Sequence, residues 1–115
     1  MDCPYPSGLS EDVRRDLVDL ERRSHSPGLV RELAEIYLES LAEGLAELEG
    51  LIARGERVRR DLCLHRLKGS SGTIGALRLM WWVVRLSERA PGEEGPCWAA
   101  LLAEVEVVRV ALRSW

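Results

Sequence analysis

The sequence predicts an all-α protein, an antiparallel up-and-down four-helix bundle with an extra short N-terminal helix. Apolar residues recur every three or four positions along most of the chain, the period of one helix face. Gly, Pro and Ser clusters cut that pattern into about five segments. No strand alternation or hairpin signal competes convincingly, although Val105 to Val110 is rich in β-branched residues. Short connections between amphipathic helices favour antiparallel neighbours. Four longer helices are therefore expected to form the core, with the first, short one covering an end.

Residues 1–9, with Pro4, Pro6 and Gly8, read as an irregular leader, and residues 10–115 as one helical domain. Ser10 is placed to cap a first helix running to about Arg23, and Glu11 and Asp12 suit its positive N-terminus. Ser26 and Pro27 offer a cap and a first-turn proline for the longest helix, about Pro27 to Arg54. Leu29, Val30, Leu33, Tyr37, Leu41, Leu45, Leu48, Leu51 and Ile52 mark its inner face, and Gly55 stops it. A third helix is expected from about Glu56 to Gly72, followed by a turn over Thr73 to Ala76. A fourth, about Ala76 to Arg89, is expected to turn Leu77, Met80, Trp81, Val84 and Leu86 inward. Trp81 and Trp82 are adjacent, so only one of them can face the core. A loop with Pro91, Gly92, Gly95 and Pro96 leads to a last helix ending near Arg113. Trp98, Leu101, Val105, Val108 and Leu112 form its inner stripe.

With 115 residues, 46% of them hydrophobic, the chain can bury one core and not two. A net charge of −3 argues against a nucleic-acid partner, which calls for a basic face. No apolar run reaches the roughly 18 residues that mark a membrane-spanning helix. Met1 to Gly8 has neither a basic start nor an apolar stretch, so no signal peptide is expected. Cys3, Cys63 and Cys97 make no CxxC pair and no zinc-ligand spacing. A reduced, cytoplasmic chain is the simplest reading, with Cys63 a small buried residue. His25, in a Ser-His-Ser-Pro linker, reads as an ordinary exposed histidine.

The third helix carries the chemistry. At about 100° per residue, Cys63, Leu67, Ser70 and Ile74 point one way, with Leu64 beside them. Asp61, His65, Lys68, Gly69 and Gly72 stand opposite. Glycine inside a helix costs about 1 kcal/mol relative to alanine, so a merely solvated face has no use for two of them. Imidazole is partly neutral and nucleophilic near pH 7. On an exposed face it can attack a phosphoryl group and hold it as a phosphoramidate. Lys68, one turn along, brings a flexible positive charge within reach. Gly69, at the next position, lets a partner's active-site loops come close, and Gly72 extends the cleared strip.

The run His65-Arg66-Leu67-Lys68-Gly69-Ser70-Ser71, followed by Gly75-Ala76 and Leu79, resembles the signature of the histidine-containing phosphotransfer (HPt) family. That signature is H-x-L-K-G-[SA] with a downstream glycine and small residue. The resemblance is strongest over residues 62–80, and the order of helices extends it from Ser10 to the C-terminus. It implies a helical bundle whose histidine sits mid-helix on an exposed face, accepting a phosphoryl group from one receiver aspartate and donating it to another. It implies His65 as phosphoacceptor, Lys68 as phosphate-stabilising cation and Gly69 as clearance residue. Ser70 and Ser71 match the small residues that let the motif helix pack closely. Two positions depart from the pattern. Relatives often carry Gln, Glu or Arg late in the next helix, where this chain has Ser87, and alanine where Leu64 stands.

The implied partners are receiver domains of response regulators and hybrid histidine kinases. Magnesium is expected in the partner receiver domain, and no cofactor in the chain itself. No Gly-rich nucleotide loop or kinase signature is present, so the chain reads as a phosphocarrier and not an enzyme with its own ATP site. Leu62, Val58 and Gly72 are the candidate docking residues. The plainer alternative packs Leu62 and Val58 beneath the first helix. Two other functions share the same residues: a domain excised from a hybrid or chemotaxis-type histidine kinase, and a non-phosphorylated adaptor bundle. The Met1 start and compact leader favour a stand-alone protein. A monomer is expected because one chain can close its own bundle.

Overall fold

The computed structural model describes residues 2–115; Met1, the first residue of the expected leader and the start that favoured a stand-alone protein, lies outside them. Among the described residues there are five helices and no strand: α1 (Glu11–Arg23), α2 (Leu29–Ala53), α3 (Arg57–Ile74), α4 (Leu77–Ser87) and α5 (Gly95–Leu112). The all-helical expectation holds. α3 packs against both α2 and α4, α4 packs against α5, and α1 rests on α2 and α3. No helix among the described residues is long and apolar enough to cross a membrane.

The core follows from the apolar stripes. Tyr37, Leu41, Leu45, Leu48 and Leu51 of α2 meet Cys63, Leu64, Leu67 and Ile74 of α3. Leu101, Val105, Val108 and Leu112 of α5 complete it as expected. α2 and α3 approach closely because Gly44 is bare: a Cβ there would stand 2.9 Å from Leu67 Cδ2. One polar pair is buried in this interface, Tyr37 Oη and Ser71 Oγ at 2.8 Å. Burial pushes the Tyr37 phenol up to about 12 against the opposing hydrogen bond from Ser71. Cys63 and Cys97 are buried, and burial raises both thiols.

Three expectations need correction. α2 starts at Leu29, not Pro27, because Gly28 precedes it in the left-handed region at φ +83°. Its first turn is capped from α1, where Glu21 Oε1 accepts the Val30 N–H at 3.1 Å. The Ser26 hydroxyl instead donates to the Ser24 carbonyl. α3 continues through Thr73 and Ile74, so the turn shrinks to Gly75 and Ala76. α4 buries Leu86 as expected, but beside it Leu79 and Val83, and leaves Leu77, Met80, Trp81 and Val84 half-buried. That helix is apolar almost all round, so periodicity alone could not fix its inner face. Trp81 and Trp82 are both half-buried, edge to face with centroids 4.9 Å apart.

Hydrogen bonds to the end of α3, to α4 and to α5 seat the N-terminal segment. Ser10 caps α1 as expected, its Oγ accepting the Val13 N–H at 3.3 Å. Its own N–H donates to the Gly75 carbonyl at 2.8 Å. Gly75 ends α3 at φ +88°, and a Cβ there would stand 2.9 Å from Val13 Cβ. Gly75→Ala therefore combines a left-handed alanine with a clash, and a loss on the order of 2–4 kcal/mol is expected in urea denaturation. A change within about 0.5 kcal/mol would mean that α1 is not seated on this turn. Upstream, the Gly8 N–H donates to Glu104 Oε2 at 2.8 Å and the Ser7 hydroxyl to Oε1 at 2.5 Å. Residues 2–9, free of helix, are thus held on α5 by a buried carboxylate.

Candidate functional site

α3 gathers the expected residues on one face. Positions 58, 62, 65, 69 and 72 follow one another at the spacing of a single helical stripe, with Lys68 beside them. His65, Lys68 and Gly69 are all exposed. A Cβ built on Gly69 meets nothing within 4 Å, so the space above it is open. The ridge stands between two shallow hollows, and His65 and Lys68 border both. One, about 290 Å³, lies towards α4 and is lined also by Asp61, Leu64, Val83, Val84 and Ser87. The other, about 450 Å³, is lined also by Gly69, Gly72, Thr73 and Met80.

Leu62 is 63% exposed and Val58 76% exposed, so α1 does not cover them. They stand one and two turns before His65 on the same stripe and leave apolar surface open to solvent there. Gly72 differs from Gly69. It is half-buried, and a Cβ there would press on Met80 Sδ at 3.1 Å, so its bareness also serves the approach of α3 to α4. Ser87 reaches the hollow beside His65, but its hydroxyl donates to the Val84 carbonyl at 2.6 Å. Leu64 is buried beneath the hollow. Of the two serines after Gly69, Ser71 is fully buried against Tyr37 and Ser70 is half-buried.

A charged network beside the site went unseen in the sequence. Arg60 is 1% exposed, and its Nη1 donates to Glu94 Oε2 at 2.9 Å. Its Nε donates to Asp61 Oδ1 at 3.0 Å and its Nη2 to the Ser87 carbonyl at 3.3 Å. Glu94, also buried, accepts the Gly92 N–H at 2.7 Å. Burial pushes the Glu94 carboxyl up, but hydrogen bonds from Arg60 and Gly92 and the Arg60 charge outweigh it and leave the carboxyl below its ordinary range. A carboxyl lowered by folding stabilises fully above the ordinary range, and that stabilisation is lost as pH falls through the lowered value. The signal was present: Arg60 continues the inner stripe of Leu64, Leu67, Ser71 and Ile74, and a charge on a core stripe demands a buried partner.

Among the described residues no group of three or more His, Cys, Asp or Glu side chains is arranged to hold a metal ion.

A family model of the Hpt domain matches residues 32–114. The chain belongs to the Hpt family. Its role is therefore histidine phosphotransfer in a two-component phosphorelay. Hpt proteins are phosphocarriers rather than kinases, and they engage the receiver domains of response regulators and kinases. The fold is also that of an X-ray structure from rice, provisionally described as a histidine-containing phosphotransfer protein. The match has a TM-score of 0.79 at 19% sequence identity and covers 92% of this chain and 79% of the rice chain. No curated protein matches the chain.

Proposed function

We propose that His65 carries the phosphoryl group, taking it from the aspartyl phosphate of one receiver domain and giving it to the aspartate of another. The observation behind this is the exposed imidazole between two hollows, with Lys68 beside it and open space over Gly69. On acceptance, a ring nitrogen of His65 forms a bond to phosphorus as the aspartyl P–O bond breaks. The bonding pair leaves with the aspartate carboxylate, and the other ring nitrogen keeps the proton. The partner receiver supplies magnesium, and Lys68 adds the charge that this chain contributes. The chain otherwise accelerates transfer by position and electrostatics. Val58, Leu62 and Gly72 form the surface on which the receiver docks.

In this reading α2 to α5 form an antiparallel up-and-down four-helix bundle, α1 is the extra helix, residues 10–115 are the working unit and 1–9 its leader. Arg31 Nη1 donates to the Arg113 and Trp115 carbonyls at 3.4 and 2.7 Å, joining the start of α2 to the end of α5. That closure within one chain favours a monomer. The free, buried Cys63 and Cys97 suit a reducing cytoplasm.

The test is a reconstituted relay with two receivers, one phosphorylated, and magnesium. Phosphoryl passage is expected with the wild-type chain and not with His65→Gln; equal passage with both would refute the assignment. Lys68→Ala is expected to slow acceptance on the order of tenfold, equivalent to about 1.4 kcal/mol in the barrier. Lys68 is exposed, so thermal denaturation should barely move. Loss of fold with the rate per folded molecule unchanged would show that Lys68 has no part in transfer.

A further inference from the structure

We propose that Arg60 is a positioning residue that holds the Asp61 carboxylate away from His65 and Lys68, keeping the phosphoryl site free of competing negative charge. This rests on His65 as the carrier. Asp61 lies four residues before His65 and borders the same hollow as His65 and Lys68. Such spacing sets the two Cβ atoms about 5–6 Å apart. A free carboxylate there would pair with the imidazole or with Lys68, and it would repel the incoming phosphoryl group.

The structure shows that carboxylate already engaged. Asp61 Oδ1 stands 3.0 Å from both Nε and Nη2 of Arg60, and Oδ2 stands 3.9 Å from Arg57 Nε. The guanidinium is fixed in turn from behind. Its Nη1 is bound to buried Glu94 at the start of α5, and its Nη2 also reaches the Ser87 carbonyl at the end of α4. A planar fork with five donors can serve three acceptors at once, whereas a lysine is a single flexible point charge. Arg60 thus links the corner between α4 and α5 to the electrostatics of the phosphoryl site.

Arg60→Lys separates the functions. The ammonium stays with Glu94, because a buried carboxylate left unpaired is strongly destabilising, and Asp61 loses both short contacts and keeps only the 3.9 Å, solvent-screened one to Arg57. A unit charge about 6 Å from a dianion in water-like surroundings changes a rate on the order of tenfold. Acceptance from a phosphorylated receiver with magnesium is therefore expected to slow about tenfold in Arg60→Lys at low salt. The deficit should shrink at high salt, because Asp61 is partly exposed. Adding Asp61→Asn should restore the rate, a rescue that a merely structural role does not give.

Slowing without rescue overturns the proposal, and so does an unchanged rate in Arg60→Lys. If Arg60→Lys loses its helical circular dichroism, the comparison is made on Arg60→Met/Glu94→Gln, which removes both buried charges, with and without Asp61→Asn. The same two outcomes decide there. A wild-type chain that takes no phosphoryl group, or a His65→Gln chain that does, refutes instead the assignment of His65.

Discussion

His65→Gln is expected to fold as the wild type does, to bind a receiver domain, and to take up no phosphoryl group. The side chain is exposed in the middle of α3, and substitutions at such positions usually change stability by about 0.5 kcal/mol or less. Glutamine has similar reach and polarity but no nitrogen lone pair able to attack phosphorus. The effect on transfer is therefore complete, while the effects on docking and folding are small. Receiver binding is measured by calorimetry and uptake by labelled phosphoryl transfer. Uptake by the variant at the wild-type rate would place the carrier elsewhere on the chain.

Gly69→Gln should have the next largest effect, with stability and function moving in opposite directions. A Cβ at this position meets nothing within 4 Å, and an exposed helical glycine costs about 1 kcal/mol relative to better helix formers. The variant is thus expected to be as stable as the wild type or slightly more so. Acceptance is expected to fall on the order of a hundredfold, the effect of displacing reacting groups by about 1 Å. The side chain would stand in the space through which a receiver's loops reach His65. Denaturation and single-turnover transfer measured on the same sample check both halves. An unchanged rate would remove the clearance role of Gly69.

What could be read from the sequence followed from how much each residue's neighbours on the chain constrain it. Ser10, Gly55 and the stripes of α2 and α5 are local patterns, and the structure reproduces them. The face of α3 was legible for the same reason, since His65, Lys68 and Gly69 lie within two turns. α4 was not, because apolar residues surround it and its inner face is chosen by α3 and α5. The start of α2 was missed because its cap, Glu21, belongs to another helix. Gly72 read as part of the open strip, yet it also meets Met80 across the α3–α4 contact. The Arg60–Glu94 pair joins residues 34 apart in sequence. Spacing alone could mark Arg60 as odd on a core stripe, but it could not supply the partner.

The most direct test of His65 as carrier is intact-mass measurement after exposure to a panel of phosphorylated receiver domains with magnesium, followed by peptide mapping. One added phosphoryl group is expected, lost on mild acid treatment as a phosphoramidate is, and mapped to the α3 peptide at His65. A phosphoryl group stable to acid, or one mapped to another residue, would contradict the assignment.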